Sequence, residues 1–129
     1  MGKRILIVDD HPINMKLAAD VLSLAGYGVS TAANAEQALT VLREVRPDAI
    51  LMDIAMPGMD GLALTRLLRT DIRLAGVPII ALTASAMKGD DTKAIEAGCD
   101  GYITKPIDTR TLPEQVAAYI AGNRGKPSR

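Results

Sequence analysis

The chain reads as an α/β domain, a doubly wound five-stranded parallel sheet with helices on both faces. Three observations predict it. The apolar runs "ILIV" (Ile5–Val8), "AILM" (Ala49–Met52) and "VPIIAL" (Val77–Leu82) are continuous rather than alternating, which suits strands covered on both faces. Helical patterns fall between the runs, and alternating strands and helices imply a parallel sheet with crossover helices. The length of 129 residues accommodates one such domain and is too short for two full ones.

The elements follow in order. After the first strand, Ile5–Val8, Pro12 suits the first turn of a helix. Ile13, Leu17, Val21, Leu22 and Leu24 lie near helical spacing there, and Gly26 marks the stop. "YGVSTA" (Tyr27–Ala32) alternates and is more polar, which places the second strand at a sheet edge. Asn34 can cap a second helix through Ala38, Leu39, Leu42 and Val45, ended by Pro47. Ala49–Met52 is the third strand. Asp60 can cap the third helix, whose apolar side is Leu62, Leu64, Leu67 and Leu68. Val77–Leu82 is the fourth strand, and Asp90–Ala97 a short fourth helix stopped by Gly98. "GYIT" (Gly101–Thr104) is a weaker fifth strand.

The fifth helix spans roughly Thr111–Ala121. Pro113 lacks an amide hydrogen and would clash in a helix begun as early as Asp108. The helix therefore starts near Thr111 or has an irregular first turn. Residues 1–121 form the domain, and 122–129, "GNRGKPSR" after Ala121, a flexible basic tail. By analogy, five strands of this kind take the flavodoxin-like order 2-1-3-4-5.

Composition removes several function classes. Fifteen basic and fifteen acidic residues cancel, so no global field draws the chain to nucleic acid or an anionic membrane. Three tyrosines with no Trp or Phe argue against base-stacking surfaces. A single cysteine, Cys99, excludes an internal disulfide and a multi-cysteine metal site; as a free cysteine it is expected to be a small buried hydrophobe. No apolar run reaches the ~20 residues that span a membrane, and "MGKRILIVDD" is too short for a signal peptide. A cytoplasmic protein is expected.

In open α/β sheets, function collects at the carboxyl ends of the strands, near the topological switch. Those ends carry Asp9 and Asp10 after the first strand, Asp53 at the third, Thr83 at the fourth and Lys105 past the fifth. In the order 2-1-3-4-5 the first and third strands are neighbours, so three carboxylates converge. They repel one another and require a counter-charge, which Lys105 can supply. Hard oxygen ligands without histidine or thiolate suit Mg²⁺ or Mn²⁺. A carboxylate can also act as nucleophile toward phosphorus, with cations and a hydroxyl stabilising the transferring oxygens. Taken singly, Asp9 and Asp10 could cap a helix, Thr83 end a strand and Lys105 be a solvated charge. Asp53, directly after four apolar residues, has the weakest ordinary explanation, because a buried lone carboxylate is costly.

"ILIVDDHPIN", "ILMDIAMPGMDG", "IIALTASAMKGD" and "GCDGYITKPI" resemble the successive motifs of bacterial response-regulator receiver domains, over roughly Lys3 to Ala121. The resemblance implies a (βα)5 receiver fold and a phosphorylation-activated signalling switch, stand-alone and similar to cell-division and polarity regulators. Asp53 would accept a phosphoryl group from a histidine kinase or histidine phosphotransfer protein. Asp10 would ligate Mg²⁺ directly, Asp9 largely through water, and the Ala55 main-chain carbonyl would complete the protein ligands. Thr83 would bond the phosphoryl group, with small Ala84 leaving it accessible. Lys105 would pair with a phosphoryl oxygen, and the Lys105–Pro106 bond would be cis. Tyr102 matches the switch aromatic, whose rotation would change the face of the fourth helix, fifth strand and fifth helix for a downstream protein target. Ala55 and Ser85 stand where dephosphorylation is tuned. Exposed residues near Asn14 and Ala18, with the loop after Lys105, would dock the kinase. A monomer or weak dimer is implied, with no enzymatic activity beyond its own phosphorylation and dephosphorylation. His11 is expected to be a surface or capping residue.

Other readings compete. An aspartate-nucleophile phosphatase would need Asp-x-Asp at the first strand, whereas this chain has Asp9–Asp10–His11 and no cap domain. "GYGVST" and "GNRGKPS" fall short of phosphate-binding loops. A receiver excised from a hybrid histidine kinase and a phosphate-independent pseudo-receiver remain as alternatives.

Overall fold

The computed structural model describes residues 3–54, 61–83 and 90–122. The strands are β1 (Arg4–Val8), β2 (Gly28–Ala32), β3 (Ala49–Asp53), β4 (Ile79–Thr83) and β5 (Gly101–Thr104). The helices are α1 (Pro12–Leu24), α2 (Ala35–Glu44), α3 (Gly61–Arg69), α4 (Asp90–Ala97) and α5 (Leu112–Ile120). All four strand pairings are parallel, in the order β2-β1-β3-β4-β5. The predicted topology holds, and the polar strand β2 lies at one edge.

The continuous apolar runs are explained by two cores, one on each sheet face. Leu6, Val8, Ile50, Met52, Ile79 and Ala81 pack with Ala38 and Leu42 of α2, Leu64 and Leu68 of α3 and Ala94 of α4. The intervening residues Ile5, Ile7, Leu51, Ile80, Leu82 and Ile103 face Ala18 and Leu22 of α1 and Leu112, Val116 and Tyr119 of α5. Side chains alternate across a strand, so a strand buried on both faces needs apolar residues at every position. Cys99 belongs to the first core, as expected. Its Sγ lies 3.8 Å from Thr65 Oγ1, and burial pushes its thiol up to about 11.

Helix ends follow local chemistry. Gly26 and Gly98 both have positive φ. The Gly26 amide donates to the Ser23 carbonyl and the Tyr27 amide to Leu22; Gly98 donates to Ile95 and Cys99 to Ala94. Each set is a left-handed glycine closure that satisfies the last carbonyls of α1 or α4. Asn34 Oδ1 accepts from the Gln37 amide at 2.9 Å, and Gln37 Oε1 accepts from the Ala33 amide at 2.7 Å, a reciprocal cap on α2. Pro113 sits in the first turn of α5, which begins at Leu112 after Thr111. A missing amide hydrogen costs nothing there, since first-turn amides have no intrahelical partner.

Three expectations are corrected. β4 begins at Ile79 rather than Val77: Pro78 has no amide to donate, although its carbonyl accepts from Ile50 at 2.9 Å. Ile13, Leu17 and Leu24 are exposed. The buried stripe of α1 is Ala18 and Leu22, with Met15 packed beside them, because helical stepping puts 13, 17 and 24 on a different side. Leu67 of α3 is exposed as well. A short 3₁₀ turn, Ile72–Leu74, had no apolar periodicity to announce it; the Asp71 carboxylate caps it by accepting from the Arg73 amide. Among the described residues, no helix is long and apolar enough to cross a membrane.

Candidate functional site

β1 and β3 are neighbours, and their carboxyl ends deliver Asp9 and Asp53 side by side. Both are about 1% exposed. Asp10, one residue further, is partly buried. Lys105 follows β5, two strands away from β3, and its amide donates to the Thr83 carbonyl at 2.7 Å. That bond anchors the lysine backbone at the end of β4. The side chain then reaches back across the sheet edge, with Nζ 3.4 Å from Asp53 Oδ2 and 3.6 Å from Asp9 Oδ2. Thr83 is buried at the end of β4, one position past Leu82, the residue opposite Asp53.

His11 enters the same cluster. Its amide donates to Asp9 Oδ1 at 2.9 Å. Its ring Nδ1 lies 3.2 Å from Asp9 Oδ1, 3.1 Å from Asp10 Oδ1 and 3.7 Å from Asp53 Oδ2. The residue is on the surface and precedes α1 as expected, but its side chain makes no cap bond to the helix. The imidazole faces the acids instead.

Desolvation raises the pKa of Asp9, and Asp53 raises it further; the His11 amide and Lys105 oppose them. Asp9 Oδ2 and Asp10 Oδ1 are buried and make no hydrogen bond among the described residues, with only Lys105 Nζ 3.6 Å from the first and His11 Nδ1 3.1 Å from the second. Buried carboxylate oxygens without donors are costly unless a cation serves them. Ligand atoms of Asp9, Asp10, His11 and Asp53 all lie within 4.8 Å of one another. The donor set fits a hard divalent ion such as Mg²⁺, which takes one or two carboxylates and keeps several waters. Saturating Mg²⁺ is accordingly expected to raise the melting temperature of wild type by several degrees and that of Asp10→Asn by less. Equal shifts in a thermal melt would remove Asp10 from the ion's partners.

The remaining expected residues are placed as follows. Tyr102 is half-buried on edge strand β5 and packs against the first core. Lys105–Pro106 is cis. Ala55, Asp60, Ala84 and Ser85 lie outside the described residues, as does the tail from 123. Ala18, expected on an exposed docking surface, is fully buried against the second core, and Asn14 is half-buried. Gly61 is a residue that sequence reasoning missed. A Cβ there would run into the Asp53 carbonyl oxygen and approach Ile54 Cα to 2.7 Å, so the start of α3 presses on the strand end that carries Asp53.

Comparison with known proteins identifies the family. The response regulator receiver domain family matches residues 5–117. The polar-differentiation response regulator DivK of Brucella anthropi is 42% identical over 120 residues, 93% of this chain and 98% of that protein. DivK of Brucella ovis is 41% identical over the same span. Among solved structures, the receiver domain of the Pseudomonas aeruginosa sensor histidine kinase PA1611, with a magnesium ion coordinated in its active-site cleft, is 37% identical. It superposes with a TM-score of 0.86 over 95% of this chain and 100% of that one. A putative response regulator from Chloroflexus aurantiacus gives 0.89 at 33% identity, covering 94% and 99%.

Proposed function

The chain belongs to the response regulator receiver domain family of two-component signalling, and on that premise we propose that Asp53 is its phosphoacceptor. The observation that carries this reading is the reach of one lysine, Lys105, to carboxylates from two different strands, Asp9 and Asp53. Receiver domains act with histidine kinases and downstream targets. In this chain an Asp53 carboxylate oxygen would form a bond to phosphorus as the bond from phosphorus to the donor's imidazole nitrogen breaks; that nitrogen leaves with the electron pair of the broken bond.

Lys105 neutralises part of the charge on the transferring oxygens and holds one of them. Asp9, Asp10, Asp53 and the Ala55 carbonyl would hold Mg²⁺, or Mn²⁺, which when bound offsets the charge of the phosphoryl group. Thr83 donates its hydroxyl proton to a phosphoryl oxygen after transfer. That bond exists only in the phosphorylated state, so it biases an equilibrium between two packings, with Tyr102 as the aromatic that changes place. The face of α4, β5 and α5 is then presented differently to a protein target. We place the chain in the cytoplasm as a monomer or weak dimer, with residues 122–129 as a tail. Its identity to a sensor-kinase receiver also favours a second reading, a receiver cut from a hybrid histidine kinase.

Acetyl phosphate with Mg²⁺, followed by intact mass, tests the assignment. Wild type is expected to gain one phosphoryl group and Asp53→Asn none. Equal labelling of the two proteins would sink Asp53 as the acceptor.

A further inference from the structure

We propose that His11 is a ligand in the acidic site and makes it a mixed nitrogen–oxygen site, one that prefers first-row transition ions such as Ni²⁺ over Mg²⁺. The inference rests on reading Asp9, Asp10 and Asp53 as a divalent-cation site. Three observations carry it. First, Nδ1 lies 3.2 Å from Asp9 Oδ1 and 3.1 Å from Asp10 Oδ1. Adjacent ligands of an octahedral ion with bonds near 2.1 Å are separated by about 3.0 Å, so the imidazole nitrogen already stands where a neighbouring ligand would. Second, Asp9, about 1% exposed, has its Oδ2 in the site without a hydrogen bond among the described residues, Lys105 Nζ standing 3.6 Å away. Third, the similar PA1611 receiver holds a magnesium ion in its active-site cleft.

Nδ1 faces the Asp9 and Asp10 carboxylates at 3.2 and 3.1 Å. As a ligand Nδ1 would offer its lone pair, in the tautomer that carries the ring proton on Nε2. Imidazole adds little for Mg²⁺, whose preferred ligands are oxygens, and adds much for Ni²⁺, Co²⁺ or Zn²⁺. The chain has no second histidine, and its single cysteine is buried. An imidazole-dependent site therefore has one side chain to come from. The exposed ring makes no cap bond, so removing it leaves the helix start as it was.

Calorimetric titration of the untagged chain with Mg²⁺ and with Ni²⁺ tests the inference, using wild type, His11→Ala, His11→Asn and Asp10→Asn. Asparagine caps a helix well but supplies no imidazole nitrogen, which separates ligation from any effect on α1. Both His11 variants are expected to lose about tenfold or more in Ni²⁺ affinity and less than about threefold in Mg²⁺ affinity. Asp10→Asn is expected to weaken both ions. Unchanged Ni²⁺ affinity in the His11 variants, or equal losses for the two ions, would overturn His11 as a selective ligand while leaving the acidic site intact. Indifference of both ions to Asp10→Asn would overturn the acidic site itself, and His11 with it.

Discussion

Replacing Arg69 with alanine is expected to lower the unfolding free energy by about 3 kcal/mol, the low end for breaking a largely buried pair. The guanidinium is a hub at the end of the sheet away from the acidic site. Its Nε donates to the Gly98 carbonyl at 2.8 Å, and its Nη1 to the Leu74 and Val77 carbonyls at 3.2 and 2.9 Å. Nη2 meets Asp100 Oδ2 at 2.5 Å, and the same oxygen accepts from the Ile79 amide. One side chain on α3 thus ties the 3₁₀ turn, the approach to β4, the end of α4 and the start of β5. Side-chain exposures of 21% and 18% keep solvent from replacing it fully. Alanine takes the cation from Asp100, leaving Oδ2 the Ile79 amide, and removes a donor from each of three carbonyls, so their desolvation is less fully offset. Urea unfolding reads the loss, and the melting temperature is expected to fall by about 10 °C. Arg69→Lys is expected to recover little, because one ammonium cannot span acceptors arranged for a planar fork. A loss under 1 kcal/mol in Arg69→Ala would show that these bonds contribute no more than a surface pair.

Gly61→Ala is expected to destabilise the domain by about 2 kcal/mol and to slow acetyl-phosphate labelling of Asp53 at least tenfold. Two effects oppose each other. Alanine is favoured over glycine by about 1 kcal/mol in a helix interior, which is the most it can gain at Gly61, the first residue of α3. The added methyl, however, would meet the Asp53 carbonyl oxygen and come within 2.8 Å of the Asp53 carbonyl carbon. These are backbone atoms of a buried strand end and cannot rotate aside, so overpacking of about 3 kcal/mol outweighs the propensity gain. Relief requires α3 or the Asp53 backbone to shift, and small displacements of a reacting group are expensive in rate. Urea midpoints and the initial rate by intact mass give the two readings. A variant more stable than wild type, labelled at the same rate, would mean that propensity decides at this position.

Much of this protein was legible in the residues alone. Continuous apolar runs separated by helical patterns required a parallel sheet covered on both faces. Punctuation by Pro12, Gly26, Asn34 and Gly98 bounded the helices, since each residue acts through its own backbone or a neighbour's. The order of Asp9–Asp10, Asp53, Thr83 and Lys105 along the strand ends was enough to predict a convergent site, because strand order maps sequence position onto one edge. Distance in space is another matter. That His11 turns its ring into the acids rather than capping α1, that Ala18 is buried while Ile13 is exposed, and that Arg69 serves four acceptors all depend on what the neighbouring element offers. Gly61 shows the same limit most plainly. Nothing local demands glycine there; the demand comes from Asp53 and Ile54, which the fold alone brings against it. Sequence determines preferences that act within a few residues, and only packing decides which surfaces meet.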